Sequence, residues 1–375
     1  MVRCGWQSWD TVWAELLNRQ QNKLVIVLVS VNFYFPPQII HEESRENHWY
    51  NCHDILYFFA QNDEKSLECY HIKPDSVVQF LWASEDSGFR HLYKISVKIV
   101  GNIAPLSEPA EDNDIGEPDS ESAKLNNFDE AFFDEAKRNI QPTALKSLLI
   151  SNHQITNGNW EVYESLFWVD EQKDLVYFLG NKDSPLETHL YVVSSSNSPR
   201  VQPRRLTKED FTHSRVFFDP EFRFCIDFQS NLTMPPFGLF HEVVSPEHAS
   251  HSVNLEPLFY FLGLSEDVSL DEPIEYQYQD KVQYLGLTPQ LFEYKLKSGE
   301  LVYGFLFKPD FMEPGAKYPV LLEIYGGPEV QLVNKSFRGK AKDSRSFHRK
   351  PFHCEPFHRM PASRGSARPP LYYFN

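Results

Sequence analysis

A mainly β fold that ends in the opening strands of an α/β sheet is what this sequence predicts, on three observations. Short apolar runs rich in β-branched and aromatic residues recur from Lys23 to Phe228, each set off by polar turns. Aromatic residues are abundant, with 30 Phe, 18 Tyr and 7 Trp, types that suit a pleated, half-buried surface. The run Val320–Tyr325 is apolar, preceded by Pro319 and followed by Gly326-Gly327-Pro328. That is the pattern of a buried strand of an α/β sheet whose turn leaves the strand end, where such sheets place catalytic groups.

In chain order, strands are expected at Lys23–Val31, Ile55–Ala60, Val77–Ala83, His91–Val97, Ser165–Val169, Leu175–Leu179, His189–Ser194, Val216–Phe218 and Phe222–Phe228. The turns between them include 84–88, 170–174 and 181–185, rich in Ser, Asp, Asn and Gly. Two stretches echo each other. Phe80-Leu-Trp-Ala-Ser-Glu-Asp-Ser leads to His91-Leu-Tyr93, and Phe178-Leu-Gly-Asn-Lys-Asp-Ser leads to His189-Leu-Tyr191. Each reads as strand, polar turn, strand. Asp86 precedes Asp183 by 97 residues, an interval that fits two propeller blades of about 40–50 residues better than one.

Residues 102–127 break the pattern, since Glu108 to Glu121 holds seven acids and no base among Pro and Gly. Such a stretch reads as a surface loop, too polar to bury a face of its own. Phe128–Leu149 then reads as one or two short helices, and Pro235–Leu264 as loop-rich. Strands return at Phe292–Leu296, Leu301–Lys308 and Val320–Tyr325.

The charge is uneven. The first 334 residues carry a net −24 and residues 335–375 a net +8, which together give −16. An acidic body repels phosphates and excludes nucleic acid as the main partner. The basic tail, rich in Pro, His, Arg and Ser, reads as disordered. Five cysteines (Cys4, Cys52, Cys69, Cys225, Cys354) form no C-x-x-C pair, which fits free thiols in a reducing compartment rather than disulfides or a zinc site. No signal peptide is read after Met1, and Leu24–Val31 is too short to span a bilayer, so the expectation is a cytoplasmic protein without a membrane partner. No Gly-rich phosphate loop occurs, and no cofactor or metal is expected.

Several segments, in one order, resemble the dipeptidyl peptidase IV family of the prolyl oligopeptidase clan, with the strongest likeness to its cytosolic dipeptidyl peptidases 8 and 9. They are Gly5-Trp6 with Trp13-Ala14, Asn51-Cys-His-Asp-Ile-Leu-Tyr57, Ser84-Glu-Asp-Ser-Gly-Phe-Arg-His-Leu-Tyr93, His189-Leu-Tyr-Val-Val-Ser194, Leu301-Val-Tyr-Gly304 and Tyr325-Gly-Gly-Pro-x-Val-Gln-Leu-Val333. The resemblance implies a partial β-propeller over residues 1–275, incomplete at its N-terminus, then the start of an α/β-hydrolase domain over 276–337, with 338–375 as the tail. It also implies a homodimeric serine peptidase that releases N-terminal dipeptides after Pro or Ala. In that family the tyrosine of Tyr-Gly-Gly-Pro donates its hydroxyl to the oxyanion hole, and Tyr325 holds the position. Read from the residues alone, Tyr325 is first a strand-end aromatic that packs in a core; the resemblance is what turns the reading toward the oxyanion hole.

The serine route needs Gly-x-Ser-x-Gly, followed by an acid and a histidine. No such pentapeptide exists here. Ser366 in Arg364-Gly-Ser-Ala lacks a strand before it, and His348, His353 and His358 lie in the same basic tail. The expectation is a fragment or truncated isoform, inactive as written. The second reading is an interaction module, or a regulatory partner that dimerises with a full-length peptidase. Glu42-Glu43 resembles an amine-binding pair, but its order in the chain favours a structural pair. Cys52-His53-Asp54 is no dyad, because neighbours on a strand face opposite ways.

Overall fold

A computed structural model describes residues 1–31, 36–46, 48–60, 72, 75–100, 144–196, 201–245, 253–261, 289–308, 312–325 and 331–337. Every regular element among them is a strand. The acidic stretch 102–127 and the tail 338–375 fall outside the described residues, as does most of the expected helix at 128–149. Among its last residues, Leu145–Lys146 and Leu148–Leu149 are strand instead.

The chain divides into two compact units, Met1–Cys52 with Tyr57–Phe80 and Ile95–Asn152, and His53–Leu56 with Leu81–Lys94 and His153–Asn375. The first unit contains a sheet ordered β1 (Arg3–Trp6), β2 (Thr11–Leu17), β3 (Lys23–Ser30), β4 (Gln38–Ser44) and β8 (Leu145–Lys146). The first four strands form an antiparallel meander, and β8 adds in parallel to Gln38 and Ile39. Leu24, Ile26 and Leu28 of β3 are buried, and the β-branched alternation of that strand explains both its existence and its central place. A second sheet is ordered β5 (Leu56–Phe58), β6 (Val77–Ser84), β7 (His91–Lys98) and β9 (Leu148–Gln154).

In the second unit, β10 (Val162–Asp170), β11 (Leu175–Gly180), β12 (His189–Ser194) and β13 (Arg204–Arg205) form one antiparallel sheet in chain order. Another is built the same way from β14 (Thr212–Phe218), β15 (Phe224–Ser230), β16 (Phe237–Val244) and β17 (Asn254–Phe261). The two pack face to face: Leu175, Tyr177, Leu179, Leu190 and Val192 meet Val216, Cys225 and Val243. Each fully buried side chain of this kind contributes about 1.5–3 kcal/mol. The opposite face of β10–β13 is covered too, with Trp160 stacked on Phe178 at 6.0 Å and on Tyr191 at 6.2 Å.

The two echoing stretches occupy equivalent places, as the β6–β7 hairpin and the β11–β12 hairpin of consecutive sheets. The 97-residue interval is therefore one sheet repeat rather than two. The surplus length comes from residues 101–143, which are outside the described residues. The equivalence extends to hydrogen bonding. Thr156 Oγ1 accepts from Leu92 N at 2.9 Å and Thr207 Oγ1 accepts from Leu190 N at 3.1 Å. Each hydroxyl then donates to a buried imidazole, His91 Nδ1 and His189 Nδ1, both at 3.1 Å. That fixes the Nε2–H tautomer. His91 donates onward to the Gly158 carbonyl at 3.0 Å and His189 to Glu187 at 3.0 Å. Gly158 has φ of +131°, and a Cβ there would collide with Trp160, so only glycine suits this turn.

One loop expectation and one strand expectation need correction. Pro235–Leu264 is not loop-rich, since it holds the whole of β16 and β17. Its prolines misled because Pro257 sits in an edge strand beside a register shift at Phe240/His241, where its missing N–H costs nothing. Val320–Tyr325 is no strand; it is irregular and solvent-exposed. The hairpin of β18 (Gln290–Lys295) and β19 (Leu301–Leu306) pairs only with itself, and no strand among the described residues lies against the 320–325 run. An apolar run without a partner for its backbone groups gains nothing from an extended, paired conformation.

Candidate functional site

Tyr325 ends that unpaired run. It is 40% exposed, and Val320 and Leu321 before it are 83% and 68% exposed. A phenol stabilises a developing oxyanion only when its hydroxyl is held in place beforehand. No sheet among the described residues holds Tyr325. The Gly326–Glu329 loop lies outside them.

The chain is held firmly again just beyond the loop. Val333 is fully buried against Leu186 and Phe305, flanked by Leu232, Leu291 and Tyr303. Lys335 N donates to the Leu186 carbonyl at 2.8 Å, and Phe337 N donates to Ser230 Oγ at 3.2 Å. Gln331 donates its side-chain amide to the Pro185 carbonyl and to its near neighbour Val333 O at 3.0 Å. Lys335 Nζ donates to Glu187, whose other oxygen accepts a hydrogen bond from His189 Nε2–H. Burial alone would raise the Glu187 carboxyl; the Lys335 and His189 hydrogen bonds outweigh it and hold the group below its ordinary range. His189 stays neutral, because burial pushes its imidazole down and the Glu187 bond only partly opposes that.

The other sequence candidates settle into structural roles. Glu42 and Glu43 are adjacent on β4 but point apart, as strand neighbours must. Glu42 pairs with Lys23 at 2.9 Å and Lys146 at 3.7 Å, and the Lys23 hydrogen bond above all holds its carboxyl below the ordinary range. Glu43 is buried beside His41 at 2.9 Å. His53 is committed at both nitrogens: Nδ1 accepts from Ile55 N at 3.2 Å and Nε2 donates to the Ala83 carbonyl at 2.7 Å. Burial, followed by the charge and hydrogen bond of Glu15, raises the Cys52 thiol, the opposite of what a nucleophile needs. His348, His353, His358 and Ser366 lie outside the described residues.

A third buried imidazole, His213, bonds Asp227 at 2.7 Å, with His241 4.0 Å from the same carboxylate. Sequence reading missed this group, and only the alternation of β14 to β16 could have pointed to it. Among the described residues, no cluster of three or more His, Cys, Asp or Glu is arranged to hold a metal. A depression of about 280 Å³ on the first sheet is lined chiefly by Leu16, Leu17, Val25, Val27 and Ile39, with no carboxylate, imidazole or thiol to do chemistry.

With this geometry in view, the comparisons with known proteins are decisive on family. The model of the dipeptidyl peptidase IV N-terminal region matches residues 1–236. This chain belongs to the dipeptidyl peptidase IV family. Dipeptidyl peptidase 8 of Mus musculus is 32% identical over 364 residues, covering 90% of this chain and 34% of that protein. Dipeptidyl peptidase 8 of Homo sapiens gives the same identity and coverage. A probable dipeptidyl-aminopeptidase B of Trichophyton verrucosum is 27% identical over 185 residues, 49% of this chain and 18% of that protein. The chain thus spans about a third of the length of the dipeptidyl peptidase 8 relatives. The successive four-stranded antiparallel sheets are the blade type of the β-propeller that characterises this N-terminal region.

Proposed function

We propose that this chain is the propeller-bearing part of a dipeptidyl-peptidase-type serine protease and that these 375 residues do not turn over substrate on their own. The family reaction would release N-terminal dipeptides from peptides with penultimate Pro or Ala. In it, a serine hydroxyl attacks the scissile carbonyl and the Tyr325 hydroxyl donates to the resulting oxyanion. The observation that carries the proposal is the state of Tyr325, an exposed residue on an unpaired run. The absence of Gly-x-Ser-x-Gly from the sequence supports it, since without the nucleophile the covalent route is lost. In this reading, residues 276–337 are the opening of an α/β-hydrolase domain, and the strap at 331–337 ties that opening to the blade turn at 184–187.

We assign the chain to the cytoplasm, on the free thiols of Cys4, Cys52 and Cys225. No helix among the described residues is long and apolar enough to cross a membrane. The test is purified chain with a Gly-Pro chromogenic dipeptide. No turnover is expected. Turnover that persists through purification and disappears with a serine-directed reagent overturns the inactive reading.

A second reading, an interaction module that pairs with a full-length peptidase, is favoured by the open apolar face of β14–β17. Co-expression with a full-length relative checks it. A stable mixed complex supports the module, and separate elution of the two chains removes it.

A further inference from the structure

His91 and His189 hold equivalent places and each accepts from a threonine hydroxyl, yet they donate to different partners. His91 reaches the neutral Gly158 carbonyl, whereas His189 Nε2 reaches the Glu187 carboxylate at 3.0 Å. The second oxygen of that carboxylate accepts from Lys335 Nζ of the strap. One carboxylate thus serves two groups on separate segments, a lysine cation and an imidazole that becomes a cation in acid. The two differ in their access to water. The Lys335 side chain is 31% exposed and the His189 side chain 0%.

We propose that Glu187, His189 and Lys335 form an acid-sensitive tether, in which a proton taken up by His189 commits Glu187 to the imidazole, releases Lys335 and loosens the strap at 331–337. The exchange follows from charge. A neutral His189 leaves the full carboxylate charge to Lys335. A charged His189 cancels that charge and sets a second cation beside the ammonium. The imidazolium would be stranded in a dry site without its partner, whereas the ammonium turns to water. The proton also has a place to go. It enters at Nδ1, where Thr207 Oγ1 donates in the neutral form, and a hydroxyl can rotate to accept instead.

The groups around His189 set the pH at which this happens. Its ring lies 5.3 Å from that of His213. His213 Nδ1 faces Asp227 at 2.7 Å and its Nε2 faces the Lys208 carbonyl at 3.1 Å. Both partners are acceptors, so both nitrogens donate and the ring is an imidazolium held by Asp227. His241 stands 4.0 Å from the same carboxylate. Tyr191 meets the His189 ring edge-on at 6.3 Å and stays a neutral phenol, since burial pushes its hydroxyl up. Arg205, which also acts on His189, is paired with Asp183 at 3.0 Å and Glu209 at 3.6 Å. Burial first, then the charges of His213 and Arg205, hold the His189 imidazole below its ordinary value against the pull of Glu187. Glu187 remains ionised there, because its own carboxyl is held below the ordinary range. The strap is therefore fully tethered above about pH 6.5 and loosens as pH falls through the lowered His189 value. Buried Val333 keeps it from detaching altogether. The tether does not depend on whether the chain turns over peptide.

Amide hydrogen exchange of the full chain, expressed as protection relative to an unprotected chain at each pH, tests the proposal. Protection of the strap amides, those of Lys335 and Phe337 among them, should fall about three- to tenfold from about pH 7.5 to 5.5. Residues 175–180 should remain far better protected than the strap at both pH values, so that the fall reads local release. His189→Gln, which takes up no proton, should make strap protection indifferent to pH. Lys335→Met should leave the strap loose at both pH values, and it carries the test should the buried His189→Gln fail to fold. Unchanged strap protection in the native chain overturns the proposal. So does protection equal to that of 175–180, which would make the loss global, or a fall in either variant as large as in the native chain.

Discussion

Leu175–Gly180 and Val320–Tyr325 are both six-residue apolar runs bounded by turn residues, and they meet opposite fates. The first is β11, paired on both sides, with Leu175, Val176, Tyr177 and Phe178 wholly buried. The second is irregular, and its Val320 is 83% exposed. The difference teaches that an apolar pattern states a preference for burial, while partner strands decide whether it is realised. In β11 the partners β10 and β12 are a few residues away on either side and connected by short turns. Among the described residues, no comparable neighbour serves the run that leads to Tyr325.

The largest expected effect follows from this contrast. Phe178→Ala should cost about 3–5 kcal/mol in urea unfolding, from lost burial and an unfilled cavity. Leu322→Ala should stay within about 0.5 kcal/mol, as for an exposed site. Similar costs at the two positions would break the comparison.

The repeated imidazole–threonine pair gives a finer test, between two regions that should behave alike. Thr207→Val removes the hydroxyl that serves Leu190 N and His189 Nδ1, and Thr156→Val removes the one that serves Leu92 N and His91 Nδ1. Each should cost about 1–3 kcal/mol, because a buried donor or acceptor is left without a partner. A large cost at one site and none at the other would refute their equivalence.

Stability should also fall in acid in two windows. Burial depresses the imidazoles of His91, His189 and His241 in the folded protein. The unfolded chain therefore binds protons first, and stability that is full above about pH 6.5 is lost as pH falls through the depressed folded values. The hydrogen-bonded carboxylates of Asp174, Glu187 and Asp219 are held below their ordinary range. Their contribution is lost at lower pH, beginning near 4. Urea midpoints measured from pH 8 to 3.5 check this, and a midpoint that rises between pH 7 and 5 contradicts it.

A smaller effect is expected at the strap. Glu187→Gln removes the carboxylate that anchors Lys335 and should weaken the strap by about 1 kcal/mol, or roughly fivefold faster amide exchange over residues 331–337. The blade cores should not change.

Much of this fold was legible because hairpins with clear alternation, such as β6–β7 and β11–β12, carry their partners in adjacent sequence. What was not legible depended on distance or on company. Thr156 reaches His91 only after the acidic stretch, so the second copy of the imidazole–threonine pair was hidden. Proline masked β17, although an edge strand tolerates it. At the candidate site, the Tyr325 motif was readable in residues. Its lack of support was not, since nothing local in Val320–Tyr325 reveals that no strand among the described residues comes to meet it.

Amide hydrogen exchange followed by peptide mass mapping tests the central claim most directly, because it reads both runs in one sample. The account predicts that 175–180 exchanges only on global unfolding, while 320–325 exchanges at the rate of an unprotected chain. Equal protection of the two would mean that the Tyr325 run is paired and its site assembled, and would contradict the account.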